Sequence, residues 1–281
     1  MNDMLVNKRQ SVLDMIESDG IAICHISDFY DITLSEKFDD IKKYYREFSD
    51  DPKIQQRIKD YQTGKLWDNG KPFETNATHY LGRDLDLGDN VIEFFLTDTI
   101  LNIAKGFYGH DPKAFNFNSW IHMSSPMQKS RIKSMNWHRD PESSRIFKVF
   151  VIVEDISYKN GPFQYIKQSH RMGKYGDLGK GLHRYPGDKF IEDNVDPSDI
   201  VSLVGPAGTI AFVDNFGFHR GGYVEEGIRK LTQGVFLSPE TFFNAGVQNE
   251  KIRINTMHES YENLSELAKF VIDTEIDSLI R

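Results

Sequence analysis

Cysteine is almost absent from this chain, because Cys24 is the single cysteine among 281 residues. An internal disulfide is therefore excluded, and so is a metal site built from several thiolates. Any metal that side chains bind here must rely on histidine, aspartate or glutamate.

Long apolar runs and a basic surface are also missing. The longest purely apolar stretch is 149–153, far shorter than the roughly 20 residues of a membrane helix. The first twenty residues contain no apolar run of signal-peptide length. The net charge is −8, with both signs mixed along the chain, so no basic footprint for nucleic acid is present. We expect a cytoplasmic protein that binds neither membranes nor nucleic acid.

The chain has enough apolar material for a sizeable core, since 39% of its residues are hydrophobic and 12% are aromatic. Its length suits one large domain. We expect a single domain over 1–281, with a helical N-terminal part at 1–112, a β core at 113–240 and a C-terminal helix at 258–281.

The N-terminal part predicts helices separated by a strand. An apolar stripe favours a helix over the first twenty residues, and a strand at 21–26 follows. Thr33 and Glu36 have capping-box spacing, which predicts a second helix from Thr33. Residues 50–89 have no clear period, and a third helix is expected at about 90–107, ending near Gly109.

After residue 113 the sequence pattern changes to short segments that are typical of strands. Turn signals such as NGP, VGPAG and RGGY separate them, which favours a β-sandwich or barrel. The first strand places Asn116, Asn118, Trp120 and His122 on one face. The predicted strands are 114–123, 145–156, 163–168, 199–205, 209–214 and 228–238.

His138 and Asp140 are the first candidates for metal binding. Residues i and i+2 of an extended segment point the same way, so both side chains can reach one ion. The alternative is a chance H-x-D triplet in a chain with nine histidines.

His219 is the third candidate ligand. It follows a strand and precedes Gly221 and Gly222, which allow close backbone approach. Taken alone it is an ordinary hydrogen-bonded histidine at a strand end. Together with His138 and Asp140 it has the order of a 2-His-1-carboxylate facial triad, which typically holds non-haem Fe(II).

Arg229 lies ten residues after His219, across a glycine-bounded turn. An antiparallel return would bring its guanidinium to the same cavity, where its planar fork suits a carboxylate. The alternative is a surface arginine next to Lys230.

The sequence resembles the phytanoyl-CoA dioxygenase family of Fe(II)- and 2-oxoglutarate-dependent oxygenases. NWHRD (136–140) resembles the family's metal motif, NGPFQYIKQSHR (160–171) its N-G-x-L-x-x-x-P-G-S-H-R segment, and GTIAFVDNFGFHRGG (208–222) the strand with the distal histidine. The likeness is specific over about 114–238. Lys167-Gln168 departs from the pattern, because the family commonly has Pro-Gly there.

The resemblance implies a mainly β fold with flanking α-helices, a double-stranded β-helix or cupin-like jelly roll. It implies that His138, Asp140 and His219 form the catalytic iron site, and that Arg229 binds the cosubstrate 2-oxoglutarate. It also implies that O2 is consumed and that succinate and CO2 are released. Phe150 lies where some relatives have an aromatic residue beside the cosubstrate, and Trp120 lies on the strand that often supplies another cosubstrate contact. The alternative for both is packing in the β core. A carboxylate at Asp140 favours hydroxylation, although the same triad supports desaturation or ring formation.

The substrate is expected to be a small molecule. Segment 170–196 is either a lid or an ordinary solvated loop. Its basic residues would attract a carboxylate or phosphate, which favours an anionic substrate, and Lys148 and Arg145 are expected to face the cavity. The basic residues of the segment are Arg171, Lys174, Lys180, His183 and Arg184.

Two other functions fit parts of the pattern. A cupin-type metalloenzyme without 2-oxoglutarate would use the triad but give Arg229 no role. A non-catalytic jelly-roll binding protein would not need the triad at all. Fold alone does not decide between them.

Overall fold

The structure is a computed structural model that describes residues 2–66, 73–75, 84–85, 90–141, 143–180, 185–243, 253–254 and 259–273. The α-helices in these ranges are α1 (Asn2–Asp19), α2 (Ile32–Asp50), α3 (Pro52–Gln62), α4 (Asn90–Phe95), α5 (Asp98–Tyr108), α6 (Asp188–Asn194), α7 (Pro239–Phe243) and α8 (Glu266–Ile272).

Strands supply the other half of the fold. In chain order they are β1 (Ile21–His25), β2 (Phe73–Thr75), β3 (Asp84–Leu85), β4 (Lys113–Met123), β5 (Phe147–Ile152), β6 (Gln164–Ile166), β7 (Ile200–Ser202), β8 (Thr209–Asp214), β9 (His219–Arg220), β10 (Ile228–Leu237) and β11 (Arg253–Ile254). Each strand expected after residue 113 is present, several of them shorter than predicted.

Two antiparallel sheets face each other. The large sheet has the order β1-β8-β5-β10-β4-β2, and the small sheet has the order β7-β6-β9. A separate parallel pair joins β11 to β3. The arrangement is that of a jelly roll with flanking helices, as expected, although the large sheet is not closed into a barrel.

The two faces of the large sheet carry different side chains. Alternate residues such as Phe117, Phe147 and Phe236 are fully buried against the helices. The residues between them point toward the small sheet, where Phe150 and Leu231 join a second apolar cluster with Tyr165. Strand alternation therefore gives one helix-covered face and one face that lines the space between the sheets.

The helix α2 begins earlier than the sequence predicted. Asp31 is its N-cap, and the carboxylate of Asp31 accepts a hydrogen bond from the backbone N–H of Leu34. The predicted capping box at Thr33 and Glu36 was wrong, because Thr33 already lies inside the first helical turn. Aspartate is at least as good an N-cap as threonine. The capping-box spacing considers only serine or threonine at the N-cap, so it did not identify Asp31.

Two further helices differ from the expectation. Helix α3 lies in the region that showed no clear period, and Asp51 caps it with Pro52 at its first position. The single helix expected at 90–107 is instead α4 and α5, separated by Leu96 and Thr97. The C-cap Gly109 has φ 77°, the left-handed conformation that glycine adopts most readily.

The C-terminal region packs on the β core. Lys113 on β4 is fully buried, and its ammonium donates hydrogen bonds to the backbone carbonyls of Phe270 and Asp273. Helix α8 accounts for part of the helix predicted at 258–281; residue 258 and residues 274–281 lie outside the described ranges. Within those ranges, no helix combines the length and apolarity that crossing a bilayer requires.

Candidate active site

The two candidate histidines are joined by their backbones. His138 and His219 form an isolated antiparallel bridge, in which each backbone N–H donates to the other residue's carbonyl at 3.0 Å. Side chains of directly paired residues project from the same face. The two imidazole rings accordingly lie 4.3 Å apart between centroids.

Each imidazole is oriented by a local carbonyl. Nδ1 of His138 lies 2.9 Å from the carbonyl oxygen of Asn136, and Nδ1 of His219 lies 2.8 Å from that of Gly217. A carbonyl oxygen only accepts, so both Nδ1 atoms carry the proton. The lone pairs are therefore on the Nε2 atoms, which is the arrangement of metal-binding histidines.

Asp140 completes the cluster. Its Oδ1 lies 3.5 Å from Nε2 of His138 and 3.6 Å from Nε2 of His219. The three ligand atoms lie within 4.8 Å of one another, and all three residues are buried. A single divalent ion therefore has one common point that all three side chains reach, with two nitrogen donors and one oxygen donor, the set that suits Fe(II).

The second oxygen of Asp140 is held by two donors. Nζ of Lys148 and Nδ2 of Asn215 each lie 2.5 Å from Oδ2. This leaves Oδ1 as the oxygen that faces the histidines. Sequence reasoning did not single out Asn215. Its position, directly after β8 and four residues before His219, is the signal that would have identified it.

Burial and charge set the ionisation of the ligands. Burial lowers the pKa of His219 to about 4, and the neighbouring His138 adds to the shift. Burial by itself would raise the pKa of Asp140, but Lys148 and the two histidines hold it well below its usual range. Both groups are thus in their metal-binding forms, neutral imidazole and carboxylate, near neutral pH.

Arg229 is a fully buried cation at the start of β10. It pairs across the ladder with His122 on β4, and its Nη2 lies 2.5 Å from Nδ1 of His122. Its Nε and Nη1 are buried without a hydrogen-bond partner. Burial lowers the pKa of Arg229 to about 10, and within the described ranges no carboxylate pairs with it. An unpaired buried guanidinium is costly, which indicates a place for an anionic ligand.

Aromatic side chains line the space between the triad and Arg229. Phe150 stacks on Phe163 at 4.4 Å between ring centroids, and Phe163 lies 5.7 Å from the ring of His219. The ring centroids of Trp120 and His122 lie 6.1 Å apart, and the indole Nε1 of Trp120 is buried without an acceptor. Phe150 belongs to the apolar cluster between the two sheets, and Trp120 packs against that cluster.

Other residues that sequence reasoning considered lie elsewhere. Arg145 was expected to face the cavity, but its guanidinium stacks on the ring of Phe107 at 4.4 Å and donates to the Phe107 carbonyl. This prediction was wrong, because residue 145 lies before β5 begins and does not follow the strand's alternation. His170 bonds the backbone of Glu17 and takes no part in the triad.

The first part of segment 170–196 is fixed to the body of the protein. Tyr175 donates to Asp199, and the guanidinium of Arg139 donates to the carbonyls of Tyr175 and Gly176. A Cβ at Gly173 would lie 2.2 Å from the carbonyl oxygen of Gln168, so this turn admits only glycine. Residues 170–180 thus form an anchored turn; His183 and Arg184 lie outside the described residues.

The family to which the chain belongs indicates the class of enzyme that carries this His-Asp-His cluster. Residues 24–225 match the model of the phytanoyl-CoA dioxygenase family, which is most of the chain. The chain belongs to the phytanoyl-CoA dioxygenase family. It is therefore a 2-oxoglutarate-dependent non-haem iron dioxygenase, and the buried His-Asp-His cluster fits the iron site of that class. No curated protein sequence matches the chain significantly.

Solved structures share the fold at low identity. EctD from S. alaskensis, solved with 2-oxoglutarate and 5-hydroxyectoine, has TM-score 0.54 and 17% identity over 86% of this chain and 79% of that one. The epimerase SnoN, solved with Fe3+, alpha ketoglutarate and nogalamycin RO, has TM-score 0.52 and 13% identity over 83% and 84%. AviO1 from Streptomyces viridochromogenes Tue57 has TM-score 0.50 and 12% identity over 82% and 95%.

Proposed function

We propose that this chain hydroxylates a small-molecule substrate, with iron held by His138, Asp140 and His219 and with 2-oxoglutarate held by Arg229. The observation that carries the proposal is that two features lie on the same side of the large sheet, the side that faces the small sheet. The side chains of His138, Asp140 and His219 direct two nitrogens and one carboxylate oxygen to one point. The guanidinium of Arg229 is fully buried, and its Nε and Nη1 have no hydrogen-bond partner.

The donor set fits Fe(II), and the cationic end of the cavity fits a dicarboxylate. Iron and 2-oxoglutarate, when bound, supply oxidation by O2 coupled to release of succinate and CO2. A carboxylate at position 140 occupies the third protein ligand position, which favours hydroxylation over halogenation. Two of the three proposed ligands, His138 and His219, are the paired residues of one backbone bridge, so the protein itself fixes their separation.

The side chains around the triad bind, orient and exclude water. Lys148 and Asn215 restrain the outer oxygen of Asp140, which keeps its inner oxygen directed at the metal position. Arg229 would form charge-assisted hydrogen bonds to the distal carboxylate of the cosubstrate. Trp120 would offer its free indole N–H, and Phe150 would cover one side of the cosubstrate and keep the site dry.

A binding experiment tests these roles without relying on turnover. Protein loaded with Mn(II) in place of iron is titrated with 2-oxoglutarate by calorimetry. Removing one partner of a buried charge pair costs about 2–5 kcal/mol. We therefore expect Arg229→Gln to weaken 2-oxoglutarate at least about 30-fold. Arg46→Gln, an exposed arginine on α2, is the matched control and should bind as the native chain does.

The same measurement separates the competing functions. A metalloenzyme that does not use 2-oxoglutarate would retain metal binding, and Arg229→Gln would change nothing. A non-catalytic binding protein would bind neither Mn(II) nor 2-oxoglutarate at micromolar concentration. Succinate formation with Fe(II), 2-oxoglutarate and a metabolite library then identifies compounds that stimulate turnover. Two of the three basic residues of 170–180 already pair with carboxylates, Lys174 with Asp199 and Lys180 with Asp177, so this segment does little to select an anionic compound.

A further inference from the structure

The register of the large sheet determines which of its side chains face the triad. On β10, Thr232 and Gly234 face the helices, since a Cβ at Gly234 would lie 2.7 Å from the ring of Phe95. The residues that alternate with them, Leu231 and Gln233, therefore face the small sheet. The neighbouring strands extend the same face across the sheet in rows.

Two rows lie at the Arg229 end of the cavity. Arg229 pairs with His122, and Leu231 pairs with Trp120. The unpaired guanidinium and indole N–H in these rows are the groups assigned above to 2-oxoglutarate. The residues of the next rows along β10 have no role in the proposed binding of 2-oxoglutarate.

The next two rows lie beside the triad. Gln233 is paired with Asn118 on one side and Phe150 on the other, and the following row joins Asn116 and Lys148 through the same strand. Lys148 bonds Asp140, and Phe150 stacks on the phenylalanine that lies against His219. The triad is therefore next to these rows.

Three amide side chains in these rows have unused hydrogen-bonding groups. Oδ1 of Asn116 is buried without a partner. Asn118 and Gln233 are partly buried, and in the described part of the chain their side-chain amides make no hydrogen bond. A buried acceptor left unpaired destabilises the fold, which applies to Oδ1 of Asn116. The amides of Asn118 and Gln233 are partly exposed on the same face and remain available for hydrogen bonding. Three amides placed in this way beside the triad indicate a ligand that pairs with them.

We propose that Asn116, Asn118 and Gln233 bind the primary substrate, and that this substrate carries hydroxyl or amide groups where a hydrocarbon chain would otherwise lie. The assignment rests on the proposed function, because it uses the same cavity and the same iron position. A linear acyl chain laid along this wall would leave all three amides unpaired.

The expected selectivity follows from this chemistry. A site built to hydrogen-bond its substrate rejects an analogue lacking the bonding group by about 10⁴–10⁵, whereas an apolar pocket discriminates by only about 10–200-fold. The cationic Lys148 at the end of the row is already paired with Asp140, so the amides provide most of the recognition next to the metal.

The first test compares three sets of probes on Fe(II)-loaded native protein with 2-oxoglutarate. The hydroxyl set contains cyclitols and methyl glycosides, the amide set contains N-acetyl amino acids and dipeptides, and the acyl set contains octanoate and decanoate. We expect saturable stimulation of succinate formation by members of the hydroxyl or amide set, at least tenfold above either acyl probe. Stimulation by the acyl set in place of the other two overturns the proposal.

The second test does not depend on finding the substrate. Gln233→Met and Asn118→Leu replace unpaired amides with apolar side chains of similar size, so the apo Tm should stay unchanged or rise. A Tm lower by more than a few degrees would mean that the amides support the fold, and the proposal fails. Gln56→Met, at an exposed glutamine bonded to Asp60, controls for the substitution itself.

For a stimulating probe, Gln233→Met should raise KM by at least tenfold, and an unchanged KM contradicts the assignment. Failure of the proposed function has a different signature, because the native Mn(II) protein would then not bind 2-oxoglutarate. Binding of 2-oxoglutarate together with acyl stimulation rejects only the substrate class.

Discussion

Consecutive residues of β5 show how differently the two faces of the large sheet are built. Phe147 is fully buried among aromatic rings on the helix side, with Phe212 and Phe236 about 6 Å away. Lys148, the next residue, points to the opposite face and pairs with the carboxylate of Asp140. The first face gains stability from packing, and the second retains buried polar groups that stability alone does not favour.

The largest effect should come from the helix-covered face. Phe147→Ala should lower the free energy of unfolding by about 3–5 kcal/mol, because it removes a fully buried ring and leaves a cavity. Urea denaturation of the apo protein measures this loss. Affinity of the folded Mn(II) protein for 2-oxoglutarate should not change. If it changes more than a few-fold, the two faces are not independent.

A buried acid at the end of β8 gives a pH-dependent effect. Burial raises the pKa of Asp214 from its ordinary value of 3.8 to about 6, so the folded state holds this proton more tightly than the unfolded chain. Its contribution to stability is therefore lost as the pH rises from about 4 to about 6. The shift of roughly two units corresponds to an upper bound of about 3 kcal/mol.

Asp214→Asn should therefore stabilise the protein at pH 7 and have no such effect at pH 4. The asparagine oxygen can still accept the hydrogen bond from the Phe216 backbone N–H. Unfolding curves of both proteins at pH 4, 5, 6 and 7 test this. A difference that does not vary with pH would show that Asp214 does not titrate in this range.

Removing the Lys148 cation should have a smaller effect on the apo protein. Lys148→Met leaves the buried carboxylate of Asp140 with Asn215 as its remaining donor, at a cost of about 1–3 kcal/mol. A divalent ion at Asp140 replaces the lost positive charge. The increase in Tm on adding Mn(II) should therefore be larger in Lys148→Met than in the native chain.

Lys159→Met is the matched control for Lys148→Met. Lys159 also pairs with a carboxylate, that of Glu226 at 2.8 Å, but on the surface. Solvent screens exposed pairs, so neither the apo Tm nor its response to Mn(II) should change measurably. An equal response in both variants would mean that Lys148 has no particular link to the metal position.

The smallest effect concerns the turn where the sequence departs from its family. Gln168 has φ 57°, a left-handed conformation that costs a side-chain-bearing residue about 1 kcal/mol. Glycine is common in relatives at this position, and it adopts this conformation freely. Gln168→Gly should raise stability by about 0.5–1 kcal/mol, measured by urea denaturation. A decrease would show that the glutamine side chain compensates for its backbone.

The sequence predicted the metal cluster better than the helices. His138 and Asp140 lie close together because strand alternation is a short-range rule. The order of the motifs, and no local rule, predicted that the distant His219 joins them. The inward face of β4 followed from the same alternation. Whether these residues hold iron, and whether Arg229, Trp120 and Phe150 hold the cosubstrate, stays a prediction that the binding experiments test.

What the sequence did not predict depends on tertiary contacts. Asn215 acts through Asp140, which is 75 residues away. Its position shortly before His219 signals that it lies near the site, but not that Asp140 is its partner. Helix α3 has one buried residue, Tyr61. Its apolar stripe consists of only Ile54, Ile58 and Tyr61, which are easily overlooked in a polar segment. Arg145 lies just before a strand, where alternation does not yet apply.

The backbone bridge between His138 and His219 has a consequence for how a metal is taken up. Because main-chain hydrogen bonds already hold the two imidazoles side by side, no part of the chain has to fold when an ion arrives. Metal binding then requires only that water ligands of the ion are exchanged for protein ligands at a preformed site, and a chelator would remove the ion without unfolding the protein. Other divalent ions of similar size would compete for the site, so the free metal concentrations in the cell would influence which ion the protein carries.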